Sequence, residues 1–150
     1  MNPTMLMIQA VSQDIAMFFC ALFAGGCVYV SLVEDPATAK GGAEMGGAYL
    51  LTAHPRPAIL QTAFALCAAV AGLLAGLAGS SAWLLAGGVI LGFAALLQMV
   101  KVIPLVRAVA GAGPQADAEW LTGHLRDLAR LHAILTLSSL AALFVLITRR

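Results

Sequence analysis

Charged residues are scarce in this sequence. Asp, Glu, Lys and Arg make up only 10% of its 150 residues, whereas roughly a quarter of the residues of a soluble domain are charged. Apolar residues make up 61%, and the mean hydropathy is +0.95. A soluble core of this length cannot bury so much apolar surface, but a lipid bilayer solvates it directly. The composition excludes an ordinary soluble domain and predicts an integral membrane protein in contact with the lipid bilayer.

An excess of one charge and paired cysteines are also lacking. The formal net charge is +1, and no basic cluster with interleaved aromatics occurs, so we expect no nucleic-acid partner. The three cysteines, Cys20, Cys27 and Cys67, lie in apolar runs without a Cys-x-x-Cys pair. This pattern argues against a thiol–disulfide relay and a zinc knuckle. Nucleotide, flavin and nucleophile-elbow motifs are absent as well.

What the sequence does contain is four long apolar runs, at residues 14–34, 58–78, 82–103 and 128–148. Each is long enough to cross a hydrocarbon core of about 30 Å. The first follows a stretch without Lys or Arg, so we interpret it as a retained span rather than a cleaved signal peptide. Leucines at helical spacing predict that the fourth helix begins earlier, before residue 121. The predicted fold class is all-α, a single four-helix antiparallel bundle.

The connections between the runs differ in length. Residues 79–81 leave room only for a very short turn, whereas the predicted loop 35–57 is long for a helix bundle. Its glycines predict a flexible first half, and residues 48–53 fit a short amphipathic or re-entrant element. A functional lid and a disordered connector both remain open for this loop.

Small residues recur every four positions in the second and third runs. They are Ala68, Gly72 and Gly76, followed by Gly88 and Gly92. Such small-xxx-small spacings let helix backbones approach closely in lipid. We interpret them as the packing of a hairpin, with a dedicated dimerisation face as the alternative.

Nearly all of the charge falls at one end of the predicted bundle, which we call the loop side because it carries the segment 35–57. Each helix places a polar residue within about two turns of this boundary: Ser31 and Glu34, Gln61, Gln98, and His132 with Thr136. Polar side chains at such depth are costly in lipid, so we expect them to point inward and form a pocket. For Glu34 a simple helix end is the alternative, and for His132 a structural hydrogen bond to Glu34 or Gln98.

Metal binding is a further hypothesis for this pocket. His124 and His132 are about 12 Å apart along one helix, so they cannot share an ion. A site would need Glu34, Asp35 or His54 beside one of these histidines, a mixed N/O set suited to a single Fe, Mn, Zn or Cu ion. The spacing does not discriminate between one such ion and no cofactor.

The end of the first run resembles a known signature. Residues 28–37 read VYVSLVEDPA, which is similar to the YVxxVEHPA motif of the anthrone oxygenase-like family of small four-helix membrane proteins. Further matches are Arg56 with Gln61, Pro104, and the sequence Arg130-Leu131-His132 followed by Thr136. Two positions depart from the family pattern, because Asp35 replaces a histidine and the Pro-Thr-Asn of the family reads Pro-Leu-Val after the third run.

The resemblance implies a bundle whose fungal members oxidise anthrones to anthraquinones with oxygen, while most bacterial members have no assigned activity. It implies Glu34 and His132 as the catalytic pair. Together with the predicted pocket it assigns substrate binding to Ser31, Arg56, Gln61, Gln98, Arg130 and Thr136, and metal ligation to Glu34, Asp35, His54 and His132. We expect a multi-pass protein of a bacterial inner membrane.

The functional hypothesis is an oxidoreductase that acts on a lipophilic aromatic or quinone-like small molecule. A base at Glu34 or His132 would remove an acidic C–H proton, and the carbanion would react with oxygen. The alternative is a non-catalytic membrane subunit or assembly factor that packs against partner helices or a second copy of the chain. A proton-coupled transporter ranks last because no inverted repeat is evident. Six basic residues on the loop side against two on the other predict a cytoplasmic loop side.

Overall fold

The protein is an all-α four-helix bundle. The computed structural model describes residues 2–52, 55–112 and 117–148, and it describes the backbone alone at 43–45, 47, 50–52 and 55–57. Its helices are α1 (Pro3–Tyr29), α2 (Asp35–Thr52), α3 (Pro55–Ala78), α4 (Ala82–Leu97), α5 (Ile103–Gly111) and α6 (Ala118–Thr148). Two five-residue π-helical turns, Val30–Glu34 and Gln98–Val102, join α1 to α2 and α4 to α5.

Four helical segments are long and apolar enough to cross a membrane: Pro3–Gly42, Ala58–Ala78, Ala82–Gly111 and Ala118–Thr148. Large apolar side chains cover the outside of the bundle, and Leu137 and Phe144 are 70% and 68% exposed. Water disfavours so much exposed apolar surface, whereas acyl chains solvate it. These are the properties of a multi-pass membrane protein.

The helices form a ring in which α1 and α4 each pack between α3 and α6. Contacts at both ends of the α1–α6 interface show that these helices are antiparallel. At one end the side-chain amide of Gln13 donates to the carbonyl oxygen of Leu146 over 3.0 Å. At the other end the hydroxyls of Ser31 and Thr136 lie 2.8 Å apart. The core between these ends is made of alanines, leucines and Phe23.

The glycines of α3 and α4 bring the two backbones into direct contact. A Cβ atom added to Gly72 would lie 3.1 Å from the Cα atom of Gly88, and one added to Gly76 would lie 2.6 Å from the amide nitrogen of Leu85. Any larger residue would push the helices apart, since the nearest atom at each of these positions belongs to the backbone of the other helix. The predicted hairpin packing is therefore confirmed.

The first helix is longer than the sequence led us to expect. Asn2 caps it by accepting a 3.0 Å hydrogen bond from the amide of Thr4, and Pro3 occupies the first turn, where a proline is tolerated. At the other end, the predicted loop 35–57 is wrong over residues 35–52, which are helical. Within α2 the helical backbone geometry is interrupted at Gly42. Its φ of +77° and ψ of −178° are accessible almost solely to glycine.

Each π-helical turn precedes a proline by the same interval. Pro36 follows the end of the first turn, at Glu34, by two residues, and Pro104 follows the end of the second, at Val102, by two residues. Proline lacks an amide hydrogen and its ring clashes with the carbonyl four residues earlier in an α-helix. A wider turn moves that carbonyl away, so both helices continue past positions that we had predicted as their ends, at residues 34 and 103.

Candidate functional site

A histidine and an aspartate meet at the loop-side end of the bundle. The Nδ1 atom of His132 on α6 lies 2.9 Å and 3.1 Å from the two carboxylate oxygens of Asp35, the first residue of α2. The His132 side chain is 6% exposed and that of Asp35 is 16% exposed. Because a carboxylate only accepts hydrogen bonds, Nδ1 carries a proton, and Nε2 of the neutral ring then holds the lone pair that can act as a base.

The π-helical turn before Asp35 explains why this carboxylate faces α6. The turn places Glu34 and Asp35 at the junction of α1 and α2, and it allows the helix to continue through Pro36 instead of unravelling. The sequence left a structural hydrogen bond from His132 to Glu34 or Gln98 as an alternative interpretation. In the structure His132 pairs with Asp35, which stands where the resembling family has a histidine.

Glu34 has a different partner. It forms a hydrogen bond with the hydroxyl of Tyr49, which lies on the part of α2 beyond the Gly42 break. Burial, the hydrogen bond to Glu34 and the negative charge of that carboxylate all raise the pKa of the Tyr49 hydroxyl above its usual value near 10. Tyr49 is therefore a neutral donor to Glu34 across the physiological pH range.

These side chains enclose a small cavity, which we call the inner cavity. Its lining consists of Glu34, Asp35, Thr38, Tyr49, Leu125, Leu128 and His132. The volume of about 10 Å³ is close to the lower limit for one water molecule. A wider cleft of about 290 Å³, the outer cleft, lies beside it between α2 and α6. Asp35, Thr38 and Leu125 line both spaces, so the two adjoin.

One turn below His132, a second polar pair joins α6 to the π-helical turn that follows α1. The hydroxyl of Thr136 lies 2.8 Å from that of Ser31 and 3.0 Å and 2.9 Å from the carbonyl oxygens of Cys27 and His132. A hydroxyl has one hydrogen to donate, so Ser31 donates to Thr136, and Thr136 donates to the two carbonyls. This pair fixes the backbone of α6 directly behind the imidazole.

The predicted residues Gln61 and Gln98 form a separate pair between α3 and α4. The side-chain amide of Gln98 donates to the carbonyl of Ala58 over 3.2 Å and to Gln61 over 3.4 Å. A Cβ atom at Gly26 would lie 2.8 Å from the Gln61 amide, so this glycine makes room for it. Gln98 is 1% exposed, and within the described part of the chain its Oε1 atom has no hydrogen-bond partner. Neither glutamine lines the inner cavity.

The remaining predicted site residues are Arg130, His54 and Arg56. Arg130 is exposed on α6, pairs with Asp127 over 3.1 Å and lines neither the inner cavity nor the outer cleft, and its role in substrate binding stays a prediction. His54 and the side chain of Arg56 lie outside the described residues. Among the described residues no three His, Cys, Asp or Glu side chains are grouped closely enough to hold a metal ion.

Sequence reasoning missed Tyr49 and Thr38 as parts of the site. Both belong to the segment that we predicted as a loop, and a loop gives no helical phase from which to place a side chain. The signal that could have found them is Pro36 after a helical run that carries polar residues, since a π-helical turn continues such a helix.

No protein-family model, curated protein or solved structure matches this chain. The resemblance to the anthrone oxygenase-like family thus rests on the short motifs alone.

Proposed function

We propose that the chain is a membrane-embedded oxidoreductase that oxidises a lipophilic aromatic or quinone-like molecule with oxygen. The observation that carries the proposal is the buried pair of His132 and Asp35 beside the inner cavity. A carboxylate that accepts from Nδ1 holds the ring in one orientation and one tautomer, which is how a histidine is positioned as a general base. The motif resemblance involves the same two segments, the end of the first apolar run with Asp35 and the part of α6 with His132.

The reaction proceeds through a C–H bond acidified by a neighbouring carbonyl. Nε2 of His132 removes the proton, and the carbanion forms a C–O bond with dioxygen to give a peroxide, which takes the proton back. Removal of the second C–H proton breaks the O–O bond and releases hydroxide, which becomes water. The sum converts CH2 and O2 into C=O and H2O, so carbon is oxidised and dioxygen is reduced.

The inner cavity is too small for such a substrate, so access to His132 requires a side chain to move. Tyr49 is the candidate, because it lies on the segment beyond Gly42 and forms a hydrogen bond with Glu34 at the inner cavity. Its displacement would enlarge the inner cavity, which adjoins the outer cleft at Asp35, Thr38 and Leu125. Glu34 is then uncovered next to the reacting carbon and can carry protons to and from the site.

A non-catalytic role as a membrane subunit has less support. That alternative depended on the small-residue faces of α3 and α4 as surfaces for partner helices. Gly72, Gly76 and Gly88 instead contact the neighbouring helix of the same chain.

The test uses the protein in lipid nanodiscs with anthrone as the probe substrate. Oxygen uptake and anthraquinone absorbance are measured for the wild type, His132→Gln and His124→Gln. We expect wild-type turnover above that of empty nanodiscs, a loss of at least about 100-fold in His132→Gln, and wild-type rates in His124→Gln, whose ring stacks on Trp120 outside the inner cavity. Equal rates for wild type and His132→Gln would contradict the proposal.

The same proposal includes location and orientation. We place the chain in a bacterial inner membrane with the loop side in the cytoplasm, supported by the excess of basic residues on that side. Cysteine labelling from outside spheroplasts tests this, because Ser80→Cys should react and Gly42→Cys should not. The reverse pattern would invert the orientation.

A further inference from the structure

The outer cleft lies between two helical walls and leads inward to the Asp35–His132 pair. One wall is the start of α2, with Asp35 and Thr38, and the other is the start of α6, with Leu125, Arg126 and Ala129. Its volume of about 290 Å³ is at the lower end of the range for small-molecule pockets. Its walls combine small apolar surface with a few polar groups, as ligand pockets usually do.

Arg126 is the only cation in the described lining of this cleft. Within the described part of the chain it forms no ion pair, whereas Arg130, one turn further along α6, pairs with Asp127. The other charged group in the cleft lining, Asp35, is occupied by His132. The guanidinium of Arg126 is therefore available for an anionic oxygen from outside the chain.

The positions of Arg126 and His132 on one helix set the length of a ligand that reaches both. They are six residues apart, a rise of about 9 Å. Ala129 lies between them in sequence, and Leu125 directly precedes Arg126; both line the cleft wall. At about 100° per residue the two side chains also point about 120° apart around the helix axis. A ring system that packs on this apolar surface with one end at the guanidinium extends along α6 toward the side that carries the imidazole.

We propose that the outer cleft binds a small aromatic ligand that carries one anionic oxygen, a phenolate or a carboxylate, and that Arg126 selects it by binding this oxygen. The ring lies against Leu125 and Ala129, and the end opposite the anion points to His132. Arg126 is a specificity-determining residue in this arrangement. The statement that the ligand is also the substrate rests on the proposed function, but the binding site does not.

A phospholipid headgroup offers the same anionic chemistry at this depth, since Arg126 lies before the apolar run of α6. The shape of the site favours the aromatic ligand. Among the described lining residues Arg126 is the single cation, and apolar surface, two threonine hydroxyls and the His132-bound carboxylate of Asp35 line the rest. A lipid phosphate bound specifically needs several donors or cations, and its acyl chains need an open path along the helices.

Binding of 2-naphthoate and of its uncharged analogue 2-naphthamide tests the proposal. Titration calorimetry is carried out in phosphatidylcholine nanodiscs, with empty nanodiscs to subtract partitioning. We expect saturable binding of naphthoate, at least about tenfold weaker binding in Arg126→Gln, and partial recovery in Arg126→Lys. Naphthamide should bind wild type and Arg126→Gln equally. Arg107→Gln, an exposed arginine on α5 outside the cleft lining, is the matched control and should behave as wild type. Ala129→Leu, which fills the cleft, should weaken both ligands.

Three results would overturn the proposal. Equal affinity of naphthoate for wild type and Arg126→Gln would show that the cation does not select the ligand. An unchanged affinity in a folded Ala129→Leu variant would place the ligand outside the cleft. Weaker binding of short-chain phosphatidylglycerol in Arg126→Gln, with naphthoate unaffected, would assign the cation to a lipid headgroup.

Failure of this inference and failure of the proposed function are separable. His132→Gln should retain Arg126-dependent binding of naphthoate. If that binding is present and anthrone turnover is absent in every variant, the binding site stands and the oxidoreductase proposal is wrong. If turnover depends on His132 while binding is indifferent to Arg126, only the specificity inference is wrong.

Discussion

The imidazole of His132 is held by both carboxylate oxygens of Asp35, although 97 residues separate them in the chain. This contact closes the ring of helices at the loop side, because it joins the extension of the first helix to the last. A hydrogen bond that involves a charged partner and is shielded from water is worth more than one at the surface.

We predict a measurable coupling between these two side chains. A double-mutant cycle with Asp35→Ala and His132→Ala should give an interaction free energy of about 1–3 kcal/mol in unfolding titrations in detergent. The control cycle uses Asp127→Ala and Arg130→Ala, an ion pair of similar length whose side chains are 62% and 70% exposed. It should give less than about 0.5 kcal/mol. A buried pair coupled no more strongly than the exposed one would contradict the structure.

The contact between α3 and α4 predicts a contrast between two glycines of α4. A Cβ atom at Gly88 would lie 2.7 Å from the backbone nitrogen of Leu73, whereas one at Gly92 would meet only the Cβ atom of Ala69 at 4.0 Å. Gly88→Ala should therefore lower the unfolding free energy by about 1–3 kcal/mol. Gly92→Ala should be neutral or stabilising by up to about 1 kcal/mol, since alanine favours helix. Thermal unfolding followed by circular dichroism measures both, and equal effects would exclude this interface.

The break in α2 predicts a second contrast. Gly42 has a φ of +77°, so Gly42→Ala should cost about 1–3 kcal/mol of backbone strain. A Cβ atom added to Gly123 on α6 would meet no atom within 4 Å, so Gly123→Ala should be neutral or slightly stabilising. If strain at residue 42 also moves the segment that carries Tyr49, naphthoate affinity should change in Gly42→Ala and stay constant in Gly123→Ala. A Gly42→Ala variant as stable as Gly123→Ala would rule out the positive φ.

The raised pKa of Tyr49 predicts a loss of stability in alkali. Above pH 10 the tyrosine of the unfolded chain ionises while Tyr49 in the folded chain keeps its proton, so the folded state binds more protons and unfolding becomes more favourable as the pH rises. Tyr49→Phe removes this contribution and should show a smaller decline. Absorbance titration checks the cause directly, because only two tyrosines are present and the later of the two transitions should vanish in Tyr49→Phe.

The number of spans and the pairing of α3 with α4 were accessible from the sequence. Apolar runs of about 20 residues have few alternatives in a bilayer, and the spacing of Gly72, Gly76 and Gly88 encodes a close approach between helices. The polar residues also indicated the correct end of the bundle. Ser31 with Thr136, and Gln61 with Gln98, form pairs, although only the first pair lies on the α1–α6 interface next to His132.

The helix ends and the partner of His132 were not accessible in the same way. We interpreted Glu34-Asp35-Pro36 as a helix end, because proline usually ends an α-helix, and this removed Asp35 and Tyr49 from the helical phase. Local preference was outweighed by a π-helical turn, which keeps the helix intact at the cost of one widened turn. The exposure of Arg130 was also invisible, since its pairing with Asp127 depends on which face of α6 turns outward.

The widened turns at Val30–Glu34 and Gln98–Val102 each change the rotation, about the helix axis, of the helical segment after the turn relative to the segment before it. A π-helical turn holds about one residue more than an α-helical one, so it is equivalent to a single inserted residue within a regular helix. Deleting one residue inside the turn would leave the packing of the helical segment on one side of it unchanged. The residues on the other side would then continue that segment as a regular α-helix. Insertions and deletions of one residue, which disrupt an ordinary membrane helix, are therefore a means by which this scaffold can vary its site without repacking its core.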